Sequence, residues 1–350
     1  MSIVAKKLLD WYRLQSYPLP WREDYNGYTI WISEIMLQQS QVNVVIPYYN
    51  RWMKKFPSMD HLSKTNLDEL LLLWQGLGYY SRVKNIFETA KILNRDYNGK
   101  IPNDYNLLIT LKGIGDYTAS AILAIAFNIR AIPVDGNIKR VISRLHELLV
   151  TKHQLTTIKE HTQKYISNNN PRDSVQGLMD LGREICKPKN PNCKICPLNS
   201  KCLSYKNNTT HIYPLKVGRK KIPQYDVIVG FIKNNNKFLI SKRLNNKFLG
   251  GLWELPGGKI KKGESEKKCL IREIKEELDI NIKIKKKLGK VNHQYSHFKV
   301  NITLYECDYE FGKAKALASE EIRWITKNQK NEFAFPSATH KLFKIIKNIQ

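Results

Sequence analysis

With 350 residues, the sequence is long enough for two domains that each bury a hydrophobic core. Its 58 lysines and arginines outnumber its 31 aspartates and glutamates, and the net charge of +27 favours a polyanionic partner such as nucleic acid. No apolar run reaches the ~18 residues that a membrane span requires. The N-terminus also lacks the apolar core and cleavage site of a signal peptide. We therefore expect a cytoplasmic protein that does not bind membranes.

Residues 1–180 are expected to be mostly helical, because apolar residues recur there at helical spacing. If residues 29–41 form a helix, Glu34 shares an apolar stripe with Ile30 and Leu37. Desolvation on that stripe would raise the pKa of the carboxyl group and suit a general acid near neutral pH. The alternative is a surface glutamate at the edge of the stripe.

Two glycine-punctuated turns follow. The tip of residues 73–82, LWQGLGYYSR, can wedge into a base stack, or it can simply join packed helices, which we expect for Tyr80. In the second turn, LKGIG, Gly113 and Gly115 allow a tight reversal, and the free N–H groups of the next helix form an anion site. Further on, the segment PVDGN places Asp135 before another helix, where helix capping is its alternative role.

Four of the six cysteines follow the pattern Cys186-x6-Cys193-x2-Cys196-x5-Cys202. In a reducing compartment this crowding indicates a metal site rather than disulfides. Zinc is one alternative, although structural zinc sites usually pair CxxC with CxxC, and these gaps do not.

Residues 206–223 are polar and basic and contain two prolines, which indicates a linker. Beyond them strand-like runs begin at residues 225 and 237. A later segment resembles a Nudix box, with glutamates at 264, 273, 276 and 277, Arg272, and Asp279 in place of the final glycine. On one helix face, the last three glutamates could bind Mg²⁺.

Four motifs, in this order and spacing, resemble those of MutY-type adenine DNA glycosylases: SEIMLQQSQV, WQGLGYYSR, LKGIGDYTAS and PVDGNIKRV. The resemblance covers nearly the whole chain. It implies a multidomain protein with an all-α helix-hairpin-helix glycosylase domain at residues 1–205, the linker at 206–223, and an α/β Nudix-like domain at 224–350. It further implies a monomeric, monofunctional enzyme of base excision repair. The expected substrate is duplex DNA containing adenine opposite 8-oxoguanine or guanine.

The same resemblance assigns roles to individual residues. Glu34 would protonate the leaving adenine, and Asp135 would stabilise or attack the sugar cation, supported by Tyr117 and Asn137. Gly113 and Gly115 would grip a DNA phosphate. The adenine pocket would be shaped by Leu19, Trp21, Arg22 and Gln176. Gln39, Ser40, Leu77 and Tyr79 would contact the opposite base or fill the gap left by flipping. The loop with Tyr295, Ser296 and His297 would contact the oxidised guanine. One [4Fe–4S] cluster would be held by Cys186, Cys193, Cys196 and Cys202.

Three other functions remain open from the sequence. The related endonuclease III type cuts the strand through a lysine after the hairpin, but Tyr117 stands at that position and cannot form the imine. The Nudix-like domain could hydrolyse an oxidised nucleoside triphosphate. A DNA-binding scaffold with a redox cluster would need neither carboxyl group.

Overall fold

The computed structural model describes residues 3–15, 17–149, 155–215 and 222–349. The chain falls into two units, which we describe separately. The first comprises Met1–Lys64 and Lys84–Gly218, and the second comprises Thr65–Val83 and Arg219–Gln350. The domain bounds expected from the sequence remain a prediction. Within the described residues, no helix is both long enough and apolar enough to cross a membrane.

The helices of the first part of the chain confirm the expected helical architecture. In chain order, these helices are α1 Ile3–Leu14, α2 Gly27–Leu37, α3 Val42–Lys55, α4 Met59–Ser63, α5 Leu67–Trp74, α6 Ser81–Asp96, α7 Tyr105–Thr110, α8 Asp116–Ile125, α9 Gly136–His146, α10 Leu155–Thr162, α11 Pro171–Asp180 and α12 Leu203–Lys206. Helix α5 lies in the second unit.

Helices α2 and α8 form the centre of the first unit. Every residue from Thr118 to Ile125 of α8 is buried, and α8 contacts both α2 and α11. Its small side chains allow this close approach. Helix α2 ends at Leu37, earlier than the stretch through residue 41 that we expected to be helical, because Gln38 leaves the helical conformation and Gln39 has φ 56°. Glu34 therefore lies in the last turn of a buried helix.

The turn between α7 and α8 uses its two glycines differently. Gly113 has φ 80°, and a Cβ built there would lie 2.8 Å from Cβ of Asn85. Gly115 has φ −95°, and a Cβ there would meet no atom within 4 Å. Gly113 is therefore required by the turn itself, whereas Gly115 leaves open space in front of the first N–H groups of α8.

The second unit is built on a seven-stranded mixed sheet, as the predicted α/β class requires. Its elements are β1 Gln224–Asn234, β2 Lys237–Arg243, β3 Trp253–Glu254, β4 Gly257–Lys259, α13 Glu266–Leu278, β5 Asn281–Gln294, β6 Lys299–Phe311, β7 Ser319–Thr326 and α14 Ser337–Ile349. The strand order is β3-β2-β1-β6-β5, with β4 paired to β1 and β7 paired to β2. Only β1 and β6 run parallel among these pairs of described strands.

Successive side chains of β1 point to opposite faces of the sheet, and each face packs against its own apolar cluster. Ile228 and Ile232 face the cluster that contains α13, whereas Val229 and Phe231 face the cluster that contains α14. The period of two in the sequence therefore produces a sheet with a helix on each face. Asp279 ends α13 in the left-handed conformation with φ 55°, which confirms that aspartate can replace the terminal glycine there.

Candidate active site

A cavity of about 650 Å³ lies in the first unit, a volume typical of small-molecule sites. It brings together residues from the turn at 19–22, from α2, from the start of α8 and α9, and from α11. The residues with predicted roles that line it are Glu34, Asp135, Tyr117, Asn137, Leu19, Trp21, Arg22, Gln39, Ser40, Gln176 and Gly115. Both predicted catalytic carboxyl groups therefore face one space.

Glu34 is buried, with only 4% of its surface exposed. Burial raises its pKa to about 7, and the negative charge of Asp135 acts in the same direction. The Tyr117 hydroxyl donates a hydrogen bond to Oε2 at 2.7 Å and opposes this rise. The surface-glutamate alternative is therefore wrong, and Glu34 can hold a proton near neutral pH.

Asp135 is both the N-cap of α9 and a wall of the cavity, so the two readings of this residue are compatible. Its Oδ1 accepts from the backbone N–H of Ile138 at 2.7 Å, and its Oδ2 accepts from the Asn137 amide at 2.9 Å. Burial raises the pKa of Asp135 above its ordinary value, and these hydrogen bonds and the charge of Arg140 offset only part of the rise. The N-terminal end of α9 further favours negative charge here.

Arg140 connects this aspartate loop to the cysteine segment, a role that the sequence did not reveal. Its guanidinium donates to Asn137 Oδ1 at 2.9 Å, to the carbonyl of Gly182 at 2.7 Å and to the carbonyl of Cys186 at 2.7 Å. A Cβ on Gly182 would lie 2.6 Å from Cβ of Asn137. The glycine therefore allows the segment after α11 to hold Asn137 in place.

Another part of the cavity wall consists of an aromatic side chain and an ion pair. Trp21 is buried and packs edge-to-face on Tyr49, with ring centres 5.4 Å apart. Arg22 forms a two-point ion pair with Asp180 at 2.8 and 3.0 Å. Asp180 is 1% exposed and also pairs with Arg183 at 3.1 Å. No motif marks Asp180 in the sequence, because its partner Arg22 is remote in the chain. The pair holds Arg22 on the cavity wall.

Of the residues predicted to contact the opposite base, Gln39 and Ser40 lie at the first unit's cavity, and the others lie in the second unit. There, the strands β5 and β6 meet at a tight loop in which Tyr295 N–H donates to the carbonyl of Phe298 at 2.9 Å. Ser296 and His297 are exposed on this loop. The Ser296 hydroxyl donates to the Tyr79 hydroxyl at 3.0 Å, which brings two of the predicted residues together.

The turn after α5 is stabilised by contacts among its own residues. Leu77 and Tyr80 are buried, while Tyr79 is 38% exposed with φ 47°. The packing role expected for Tyr80 is confirmed, since its hydroxyl accepts from the N–H of Gly76 at 3.2 Å. Arg82 is not turned outward to phosphates, because its guanidinium donates to the carbonyls of Leu77 and Gly78 inside the turn.

The four clustered cysteines surround a small apolar cavity. Arg144 lies on the same cavity, is 3% exposed, and donates to Cys186 Sγ at 3.4 Å and to the carbonyls of Tyr213, Lys187 and Pro188. Among the described residues, no three His, Cys, Asp or Glu side chains are grouped so as to hold one metal ion.

Within the described parts of the chain, the glutamates of the Nudix-like box do not form a group of three acidic side chains arranged around one metal ion. Arg272 pairs with Glu264 at 2.7 Å, with Glu273 at 2.8 Å and with Glu276 at 3.0 Å. Glu277 turns inward and accepts from the N–H of Gly257 at 3.3 Å, and burial raises its pKa to about 7. Arg272 therefore pairs with three of the four box glutamates, and Glu277 has a separate partner.

Comparison with known proteins agrees with this geometry. Residues 32–167 match the model of the HhH-GPD superfamily base excision DNA repair proteins, and residues 227–344 match the NUDIX domain. The chain is 34% identical to an adenine DNA glycosylase of Buchnera aphidicola subsp. Schizaphis graminum, with 99% of each chain covered. It is 41% identical to that of Buchnera aphidicola subsp. Baizongia pistaciae over 72% of each chain. A solved thermostable thymine-DNA glycosylase resembles it with a TM-score of 0.54 and 27% identity, covering 59% of this chain and 96% of that one.

Proposed function

The chain belongs to the adenine DNA glycosylase family, and we propose that it hydrolyses the N-glycosidic bond of adenine mispaired with 8-oxoguanine or guanine in duplex DNA. The resemblance carried by its sequence motifs is thereby confirmed, as is its place in base excision repair. One observation supports the proposed chemistry most strongly. A buried, protonatable Glu34 and a hydrogen-bonded Asp135 line the same cavity.

The two carboxyl groups divide the reaction between them. A base that leaves as an anion is a poor leaving group, so Glu34 donates its proton to the adenine while the bond to C1′ breaks. The sugar then carries positive charge, which the Asp135 carboxylate stabilises. Water adds to C1′, and its proton restores Glu34. Asn137 and Arg140 favour the charged form of Asp135 and so oppose the burial that raises its pKa.

Strand cleavage by the enzyme is not part of this proposal. A glycosylase that also cuts the strand needs an amine to form an imine with the opened sugar. Tyr117, at the start of α8, lines the cavity, and its hydroxyl donates a hydrogen bond to Glu34. Since both carboxyl groups come from one chain, a monomer suffices for the reaction.

We assign recognition of the opposite 8-oxoguanine to the second unit. Ser296 and His297 are exposed on a tight loop and can form hydrogen bonds with the altered base edge. The exposed ring of Tyr79 meets the same loop through the Ser296 hydroxyl and offers a stacking surface. The net charge of +27 favours binding of the duplex in general.

We propose that the cysteine cavity holds one [4Fe–4S] cluster, and the four cysteines that line it support this proposal. A [4Fe–4S] cluster is a cube of iron and sulfide that lies between its four thiolate ligands. The thiolates must therefore be farther apart, around a cavity, than thiolates that bind a single metal ion. Arg144 is a buried cation for which the structure shows no carboxylate partner among the described residues, and a cluster bound by four thiolates is anionic. Cys186, Cys193, Cys196 and Cys202 would hold the cluster, which would fix this loop without entering the bond cleavage.

A duplex carrying a labelled strand with one adenine opposite 8-oxoguanine tests the proposal. The full-length protein should release adenine and leave the strand intact until alkali is added. Glu34→Gln should slow release by about 10²- to 10⁴-fold, the range for loss of a general acid. Glu88→Gln, a change at an exposed glutamate on α6, should leave the rate unchanged. Adenine release that is unaffected by Glu34→Gln would disprove the assigned chemistry.

A further inference from the structure

The cavity wall formed by α11 holds an arrangement that the catalytic roles do not use. Gln176 on α11 is 2% exposed and lines the cavity. Its Oε1 accepts hydrogen bonds from two phenols, that of Tyr12 at 2.7 Å and that of Tyr25 at 3.4 Å. Its Nε2 has no hydrogen-bond partner among the residues that the structure describes. A buried amide nitrogen without a partner costs free energy, and a ligand in the cavity can supply the missing acceptor.

The Tyr12 hydroxyl is placed firmly beside this amide. A Cβ on Gly177 would lie 3.2 Å from Cβ of Tyr12, so the glycine lets α1 lie directly against α11 at this level. The Arg22 guanidinium, itself fixed by Asp180, covers the Tyr12 ring at 5.8 Å from its centre. Burial raises the pKa of Tyr12 well above its usual value, so the phenol keeps its proton and acts as a donor.

Tyr25 reinforces the same orientation from the other side. The Arg172 guanidinium stacks on its ring at 4.2 Å and is anchored to the carbonyls of Ile125 and Ala126. Two hydroxyl donors on one carbonyl oxygen leave only the nitrogen end of the amide without a partner. Tyr12 contributes the shorter and stronger of the two bonds.

We infer that Tyr12 is a positioning residue that fixes the Gln176 amide with its nitrogen toward the cavity, so that this nitrogen donates to N1 of the flipped adenine. The inference rests on the proposed function, because it takes the cavity to hold that base. A flipped base is read by hydrogen bonds to its Watson–Crick edge. On this edge adenine offers an unprotonated N1, which accepts a hydrogen bond, whereas guanine carries an N1–H, which cannot.

An atomic substitution in the substrate tests the inference. Full-length protein is given duplexes that carry adenine or 1-deazaadenine, which has C–H at position 1, opposite 8-oxoguanine. Single-turnover release rates are divided by the acid-hydrolysis rates of the two free nucleosides, which removes their intrinsic difference. Wild-type protein should then prefer adenine roughly three- to tenfold, the value of one hydrogen bond. Tyr12→Phe should bring this ratio close to one, and Tyr25→Phe should lower it less.

Two further variants separate positioning from packing. Tyr17→Phe removes a nearby phenol for which the structure shows no bond to Gln176, and it should keep the wild-type ratio. In a Gln176→Met background, Tyr12→Phe should have no further effect on the ratio. Tyr12→Phe that slows both bases equally, or a wild-type ratio near one, would overturn the inference and leave the proposed function intact. A wild-type protein that releases no adenine would instead refute the proposed function.

Discussion

Removing the Tyr117 hydroxyl should move the pH dependence of the reaction to higher pH. This hydroxyl donates to the Glu34 carboxyl at 2.7 Å and thereby favours its charged form. In Tyr117→Phe that stabilisation is lost, so the pKa of Glu34 rises above its value of about 7. A hydrogen bond to a charged group contributes about 1.5–3 kcal/mol, which corresponds to an upward shift of about one to two pH units.

Single-turnover adenine release between pH 5 and 9 measures this shift. A general acid is active when protonated, so the rate should fall as pH rises through the pKa of Glu34. In Tyr117→Phe the midpoint of this fall should move upward by about the amount given above. Tyr105→Phe is the matched control, since it removes a phenol that donates to Asp116 at 2.9 Å and not to Glu34. A midpoint that stays in place or moves to lower pH would refute the assignment of Glu34 as the acid.

Three other changes test separate parts of the structure. Gly113→Ala should lower the free energy of unfolding by about 1–2 kcal/mol, because φ is 80° there. Gly115→Ala, whose Cβ would meet no atom within 4 Å, should leave the melting temperature unchanged and weaken duplex binding roughly fivefold. If the two variants changed stability equally and duplex binding equally, the division of roles between the two glycines would be contradicted. Ser296→Ala should reduce the preference for adenine opposite 8-oxoguanine over adenine opposite guanine by roughly fivefold in release assays. An unchanged preference would show that Ser296 does not recognise the 8-oxoguanine. Arg144→Met should lower the iron content of purified protein, since it removes the cation beside Cys186. Arg172→Met is the control, because it also removes an arginine bonded to backbone carbonyls, and it should leave the iron content unchanged. Equal iron content in the two variants would contradict the proposed role of Arg144 at the cluster.

Local patterns in the sequence were sufficient for the elements and for the position of Glu34. The apolar spacing around Glu34 predicted a buried carboxyl on a helix, and the glycines of the LKGIG turn marked the junction between α7 and α8. These predictions succeed because helix periodicity and positive φ angles depend on near neighbours in the chain. The alternation that predicted the strands depends on near neighbours in the same way.

The partners of these residues could not be predicted, because they come from distant parts of the chain. Nothing near Arg22 identifies Asp180 as its counter-ion, and nothing near Gln176 identifies Tyr12. The box glutamates show the opposite failure. Their spacing suggested a cation site, and in the structure three of the four pair with Arg272. Competition between an arginine and a cation depends on side-chain geometry, which a motif does not contain.

The protonation state of Glu34 is the central claim, and isotope-edited infrared spectroscopy measures it directly. Protein labelled with ¹³C-glutamate is titrated, and the Glu34→Gln spectrum is subtracted from that of the wild type. The structure predicts a protonated carboxyl band that disappears with a midpoint near pH 7, the pKa to which burial raises Glu34. A midpoint near the ordinary glutamate value of about 4.3 would contradict it, because the adenine would then have no proton donor at neutral pH.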